Sequence, residues 1–395
     1  MAVSVLAAAG VALAQDTGTS PVINPTPDEA WMTNGIVYSI IRHGDYVYVG
    51  GKFTRVQSAP GGESFRATNV ARFDAQTGVG DRTWTPDVTG ADAAETRVYA
   101  LAAAGDKIFV GGKFEAVDGI ARRNLAAVDP LTATVDPTVD TLVGSETSPG
   151  IRAMVASGTT VYLGGQFGTL DGRIRQNLGA IGLSGNVDAT WKPKTNRYVR
   201  ALSFSCDGSA VFAGGVFRNA AGSDGVEAPR ETIARFDAAT GALDPWALPA
   251  GTVGTEEVAA DLAVTCERVT AGFLGPNFTR SFRLDNGSTG TEVWEKKSAG
   301  DVQTVAMLGS DKVILGGHFS QVDRQRRLRI AAVNLSDGSV DPAWSPSIEG
   351  DVNGDFAWGP WDLLVDGNRL YVGGGFRYVA GQTRTNFASF TTVSP

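Results

Sequence analysis

Histidine is almost missing from this chain: 395 residues hold two, His43 and His318. Two separated imidazoles argue against a histidine metal centre or a Ser-His-Asp triad. Both sit at positions that read as surface. Cysteine is as scarce, with Cys206 and Cys266 alone, so no cysteine-rich zinc framework can form. There is no His-Glu-x-x-His, no Cys-x-x-Cys, no Gly-x-Ser-x-Gly and no glycine-rich loop opening a helix, which removes the common hydrolase and nucleotide signatures. No cofactor or metal is expected. Basic charge is also short: 34 Lys and Arg stand against 42 Asp and Glu, a net charge of −8. Without a basic stripe to displace counterions, a nucleic-acid partner is not expected. The one basic cluster, Arg324, Arg326, Arg327 and Arg329, reads as a solvated hairpin. Apolar runs long enough to span a bilayer are lacking, and capped, helix-period stretches are absent beyond the first residues.

What is present is a repeat. Gly-Gly-x-Phe occurs at Gly50–Phe53, Gly111–Phe114, Gly164–Phe167, Gly214–Phe217, Gly316–Phe319 and Gly373–Phe376, with a worn copy at Ala271-Gly272-Phe273. The spacing of roughly fifty to sixty residues is that of propeller blades, longer than leucine-rich or ankyrin units. Each module opens on an apolar run such as Val98-Tyr99-Ala100-Leu101 and turns at Gly, Asp or Asn, as at Gly105-Asp106. These residues tolerate the positive φ of tight hairpins. A β-branched and aromatic run then leads into the tetrad, as in Lys107-Ile108-Phe109-Val110. A third run alternates with period two, as in Asn69-Val70-Ala71-Arg72-Phe73-Asp74, and a short Asp-x-x-Trp follows, as from Asp81 to Trp84. The expected fold is all-β: a seven-bladed propeller of four-stranded blades. The glycine pair inside a strand pattern signals a bulge or a close backbone approach, and its phenylalanine is expected to pack between blades.

These residues carry a resemblance. Gly-Gly-x-Phe, Arg-x-Asn-Leu-Ala (Arg122 to Ala126), Thr-Gly and Asp-x-x-Trp together resemble the delta-60 repeat β-propellers of secreted bacterial proteins over about residues 28–395. The resemblance implies an extracellular propeller and supplies no catalytic residues. The fifth module departs most, because it lacks the second glycine and carries Leu274-Gly275-Pro276-Asn277.

The ends suggest how the ring closes. Asp28-Glu29-Ala30-Trp31 is a fourth-strand motif with no module before it, and the last module stops after its third strand. The strand around Trp31 is therefore expected to pair with the strand around Phe390, closing the C-terminal blade and removing an open edge. Residues 1–14 resemble a signal peptide, with Ala12-Leu13-Ala14 as the cleavage site and no basic n-region. Residues 15–27 are Thr/Ser/Pro-rich and read as a disordered lead-in; residues 28–395 are the propeller. Export permits a disulfide. Cys206 and Cys266 fall at the same position of neighbouring modules, so their pairing is expected.

Most carboxylates read as structural. Asp74, Asp129, Asp237 and Asp285 set turns, while Asp81, Asp136, Asp188, Asp244 and Asp341 pin the fourth strand. Trp84, Trp191 and Trp344 read as outer packing. Asp351-x-Asn353-x-Asp355 has a faint likeness to a calcium loop, but Phe356 stands where glycine is needed. One set breaks the repeat consensus: the second position of the first strands, Tyr38, Tyr99, Arg152, Arg200, Ala260, Gln303 and Trp361. At the channel mouth these aromatics, arginines and the glutamine can stack on and hydrogen-bond a ligand; the plainer reading is packing between blades. The expected function is a non-enzymatic, secreted, monomeric binding or scaffold module for an extracellular glycan or protein. The rivals are a lyase or glycan hydrolase, whose only first-strand carboxylates are Asp261 and Asp362, and a structural segment of a larger surface protein.

Overall fold

The computed structural model describes residues 20–144, 150–275, 278–284, 289–350 and 359–393. Every regular element among them is a β-strand. The repeating unit is an antiparallel meander. In the first repeat it comprises Ile36–His43, Tyr46–Lys52 and Val70–Asp74. Gly44 turns the first hairpin with φ of 56°, a conformation that glycine adopts without a Cβ penalty. The third strand starts from Asn69, also left-handed with φ of 66°. Its side chain accepts a hydrogen bond from the backbone N–H of Phe53 and donates one to the Val88 carbonyl. Asn124 and Asn386 hold Phe114 and Phe376 in the same way. The asparagine of the third run is thus the clamp on the tetrad's phenylalanine.

Seven sheets of this kind follow one another among the described residues, the last built on Gly359–Asp366, Arg369–Gly375 and Phe387–Val393. The first strand of each packs beside the first strand of the next, and Gly359–Asp366 packs beside Ile36–His43. The apolar core is divided in the same way, with one cluster in each gap between neighbouring sheets. Phe109 and Leu125 pack with Ile151 and Leu163 in one gap. Tyr371 and Phe387 pack with Val37 and Phe73 in the gap that joins the last repeat to the first. This arrangement is that of a β-propeller.

The tetrad's two glycines have separate causes. A Cβ on the first would strike the neighbouring repeat: from Gly111 it would lie 2.6 Å from Ile151 Cγ2, and from Gly373 2.5 Å from Val37 Cγ1. A Cβ on the second would strike its own first strand, 2.2 Å from the Arg97 carbonyl for Gly112 and 2.0 Å from that of Gly150 for Gly165. One glycine sets the distance between sheets; the other makes room for an irregularity in the first strand.

Two expectations need correction. Among the described residues, four-stranded sheets occur only in the fifth and last repeats. Elsewhere the fourth strand shrinks to a single bridge, such as Phe73↔Gly80 or Val128↔Val135. The cause is the aspartate after it: Asp81 and Asp136 each accept bonds from the N–H and hydroxyl of the threonine two residues on, which turns the chain out of the sheet. The N-terminal strand paired with Phe387–Val393 is Val22–Ile23, within the stretch expected as a lead-in, and not the segment around Trp31. Asp28 does dock on the last repeat, its N–H bonding the Ser389 carbonyl as that of Asp81 bonds Arg72. Beyond it, Met32–Thr33 crosses to pair with Val56–Gln57 of the first repeat.

Candidate functional site

The pairing register of each first strand skips one residue. The register slips between Val37 and Ser39, Val98 and Ala100, Ile151 and Ala153, and Val199 and Ala201. It slips again between Ala259 and Asp261, Val302 and Thr304, and Pro360 and Asp362. The skipped residues are Tyr38, Tyr99, Arg152, Arg200, Ala260, Gln303 and Trp361. They are β-bulge residues, re-aimed by the extra backbone unit. All seven line one cavity of about 180 Å³. The irregularity made possible by the second glycine is therefore what points a non-repeating side chain into the middle of the molecule.

The sequence-selected residues form a continuous array. Tyr38 lies between Tyr99 and Trp361, with ring centroids 5.3 and 5.4 Å away. The Arg152 guanidinium sits over the Tyr99 ring at 5.1 Å and over Tyr198 at 5.2 Å, a cation–π sandwich. Arg200 is enclosed next to it; burial first, and then the Arg152 charge, lower its pKa from the usual arginine range. Gln303 contacts His318 Nδ1 at 3.3 Å. The Nε atoms of Arg152 and Arg200 and the Oε1 of Gln303 are buried without a protein hydrogen-bond partner. The Nε atoms of Arg122, Arg175, Arg230, Arg235 and Arg327 are buried without a partner as well, away from the cavity; what sets Arg152, Arg200 and Gln303 apart is that they border it.

The next residue along three of these strands has a different duty. The innermost strands expose an edge of N–H groups, and Ser39, Asp261 and Asp362 cap it in the neighbouring repeat. Ser39 Oγ accepts from Leu101 N–H at 3.1 Å. Asp261 Oδ2 accepts from Val305 N–H and the Thr304 hydroxyl, both at 2.9 Å. Asp362 Oδ2 accepts from Ile40 N–H at 2.6 Å, tying the last repeat to the first. The second oxygens of Asp261 and Asp362 accept from Leu262 and Leu363 N–H. Both carboxyls line the cavity yet are hemmed in by protein, and burial pushes both pKa values up. Asp362 lies well above the carboxylate range, with the Asp261 charge adding to the effect.

Two aromatic groups at this site escaped sequence reasoning. Tyr198 precedes its first strand, so alignment on the strand itself missed it. His318 occupies the variable position of a tetrad, and the expectation that it is surface is corrected: it is half-buried, 5.8 Å from the Trp361 ring, its pKa lowered chiefly by burial. The basic cluster also divides. Arg324 and Arg326 are exposed, whereas Arg327 and Arg329 turn inward to bond the Asp341 and Ile348 carbonyls. Trp84, Trp191 and Trp344 are buried packing residues whose indole N–H groups bond carbonyls of Asp129, Asp237 and Asn24. Asp74, Asp129 and Asp237 each accept turn N–H bonds. Residues 1–19, Asp285 and the Asp351-to-Asp355 segment lie outside the described residues.

Cys206 and Cys266 form a disulfide with Cα atoms 5.0 Å apart. It joins the ends of two neighbouring first strands, about 20 Å along the strand from Arg200 at the usual rise. Among the described residues, no group of His, Cys, Asp or Glu is placed to hold a metal, and no helix is long and apolar enough to cross a membrane.

The chain is similar to a β-propeller family of unknown function. The model for that family, "Domain of unknown function (DUF5122) beta-propeller", matches residues 309–343. No curated protein matches. Among solved structures, that of U3-55K is 10% identical with a TM-score of 0.56, covering 93% of this chain and 100% of its own. The crystal structure of the computationally designed Ika8 protein is 11% identical with a TM-score of 0.50, covering 95% of this chain and 100% of its own. At these identities the likeness is one of fold alone.

Proposed function

We propose that this chain is an exported, non-enzymatic binding or scaffold module: a seven-bladed β-propeller, closed into a ring, whose central cavity receives an extracellular glycan or protein ligand. The observation that carries the reading is the convergence of six side chains, Tyr38, Tyr99, Arg152, Arg200, Gln303 and Trp361, on one cavity where three of their polar atoms lack a protein partner. A repeat protein that needed only packing there would keep small residues at the bulge, as Ala260 does. Ring closure is supported by the packing of the last first-strand on Ile36–His43 and by the Asp362–Ile40 bond. The delta-60 resemblance belongs to the same reading, since the family match spans the Gly316 tetrad through Asp341. Export is supported by the disulfide, which an oxidising compartment sustains. A hydrolase or lyase would need Asp261 or Asp362 free to act, and both spend their oxygens on backbone N–H groups.

A glycan and peptide array probed with the purified chain tests the proposal. Binding to at least one extracellular-type ligand is expected. Turnover of an arrayed glycan, or binding that persists when Arg152 and Arg200 are replaced by alanine, would overturn it.

A further inference from the structure

We infer that the central cavity is a receptor for an acidic sugar residue, a hexuronate-type ring whose carboxylate is held by Arg152 and Arg200. The inference rests on reading the cavity as a binding site and names what it takes. Charge comes first. Two guanidinium groups and two carboxyls meet at the cavity, but they are not equally committed. The Asp261 and Asp362 oxygens already accept backbone and threonine bonds. The arginine Nε atoms have no protein acceptor. Neither arginine forms an ion pair among the described residues. Unspent donor capacity therefore favours an anion over a cation. Guanidinium binds a planar carboxylate through parallel N–H bonds. Two half-buried like charges side by side repel; Asp261 and Tyr198 offset part of this at Arg200, and a bound anion relieves the rest.

Shape and surroundings decide what carries the carboxylate. Tyr38 is tilted against Tyr99 and edge-on to Trp361, and such clustered rings give the cavity aromatic surface on which the apolar face of a sugar can pack. The Gln303 Oε1 is an unspent acceptor for a hydroxyl. A cavity of about 180 Å³ holds one ring, not a folded peptide segment. A peptide would add to an exposed strand edge through main-chain bonds. That edge is interrupted at three of its seven repeats, where Ile40, Leu101 and Val305 donate to Asp362, Ser39 and Asp261. The geometry thus leaves side-chain recognition of a single acidic ring.

The test is calorimetric titration of the full chain with methyl glucuronide, methyl galacturonide, methyl glucoside, acetate and a short peptide with a free C-terminus. At least one uronide should bind ten-fold or more tightly than methyl glucoside, and the difference should vanish in Arg152→Gln/Arg200→Gln. Trp361→Ala should weaken uronide binding, while an unchanged melting curve shows that the fold survives. If methyl glucoside binds as well as the uronides, the carboxylate assignment fails and the broader binding reading stands. If acetate or the peptide equals the uronides, the sugar assignment fails. If none binds, the acidic-sugar inference is wrong, and the array decides separately whether the cavity binds anything.

Discussion

Asp362 is the most informative single residue to perturb. Its carboxyl accepts from Ile40 N–H at 2.6 Å and from Leu363 N–H at 2.9 Å. Burial and then the Asp261 charge raise its folded-state pKa well above the ordinary range, whereas the unfolded chain has a pKa of about 3.9. Between those two values the folded chain holds a proton that the unfolded chain has released. Stability therefore falls as pH rises through that window. The stabilising contribution is complete below about pH 3.9 and is lost as pH climbs through the folded value, with a slope of at most about 1.4 kcal/mol per pH unit. Asp362→Asn keeps one carbonyl acceptor, cannot titrate and imitates the protonated acid. Urea unfolding of both proteins from about pH 4 to pH 8 checks this. The two should have similar stability at the acid end, and the asparagine variant should become the more stable as pH rises. A difference that stays flat with pH, or one in which the parent gains on the variant, would refute the account of this carboxyl.

Gly165→Ala places a Cβ 2.0 Å from the Gly150 carbonyl, which no rotamer relieves; a loss of about 3 kcal/mol is expected, and a change below about 1 kcal/mol in chemical unfolding would contradict the bulge argument. Removing the disulfide with Cys206→Ala/Cys266→Ala opens a loop of 60 residues and should lower stability by about 2–4 kcal/mol; an unchanged unfolding midpoint would show that the staple contributes nothing. Arg280 is buried with Glu257 at 2.8 Å and also reaches Glu295, so Arg280→Ala leaves a buried charge unpaired and should cost about 3–5 kcal/mol. Equal stability of variant and parent would show that Glu257 takes up a proton or reaches water instead.

Much of this molecule was legible because its repeats report the same constraint several times over. The tetrad, the strand-opening asparagine and the Asp-x-x-Trp segment each recur with one structural cause. The cysteine register was legible for the same reason: equal positions in neighbouring repeats lie side by side. The cavity residues stood out as the one strand position that refuses a consensus. What the sequence hid were the places where neighbouring segments compete. The fourth strand read as a full strand because the Asp-x-x-Trp segment recurs in module after module, but the aspartate's own hydrogen bonds end it after one bridge. Val22–Ile23 sits in a Thr/Ser/Pro-rich stretch and forms a strand only because the last repeat offers it an edge. Tyr198 and His318 back the cavity residues Arg152, Trp361 and Gln303 from positions just outside the aligned strands. The duty of Asp362 depends on Ile40, more than three hundred residues away in the chain, and no local pattern announces it.

The most direct test of the central claim compares the parent chain with Arg152→Ala/Arg200→Ala against whichever ligand the array selects. The arginines leave Nε donors unpaired and crowd two like charges, so their loss removes ligand contacts at the cost of the Tyr99 and Tyr198 contacts alone. Titration calorimetry should show binding weaker by about ten-fold or more, equivalent to roughly 1.4 kcal/mol, with the melting temperature nearly unchanged. Undiminished binding, or a variant that melts far lower than the parent, would show that these side chains hold the propeller together and that the ligand sits elsewhere.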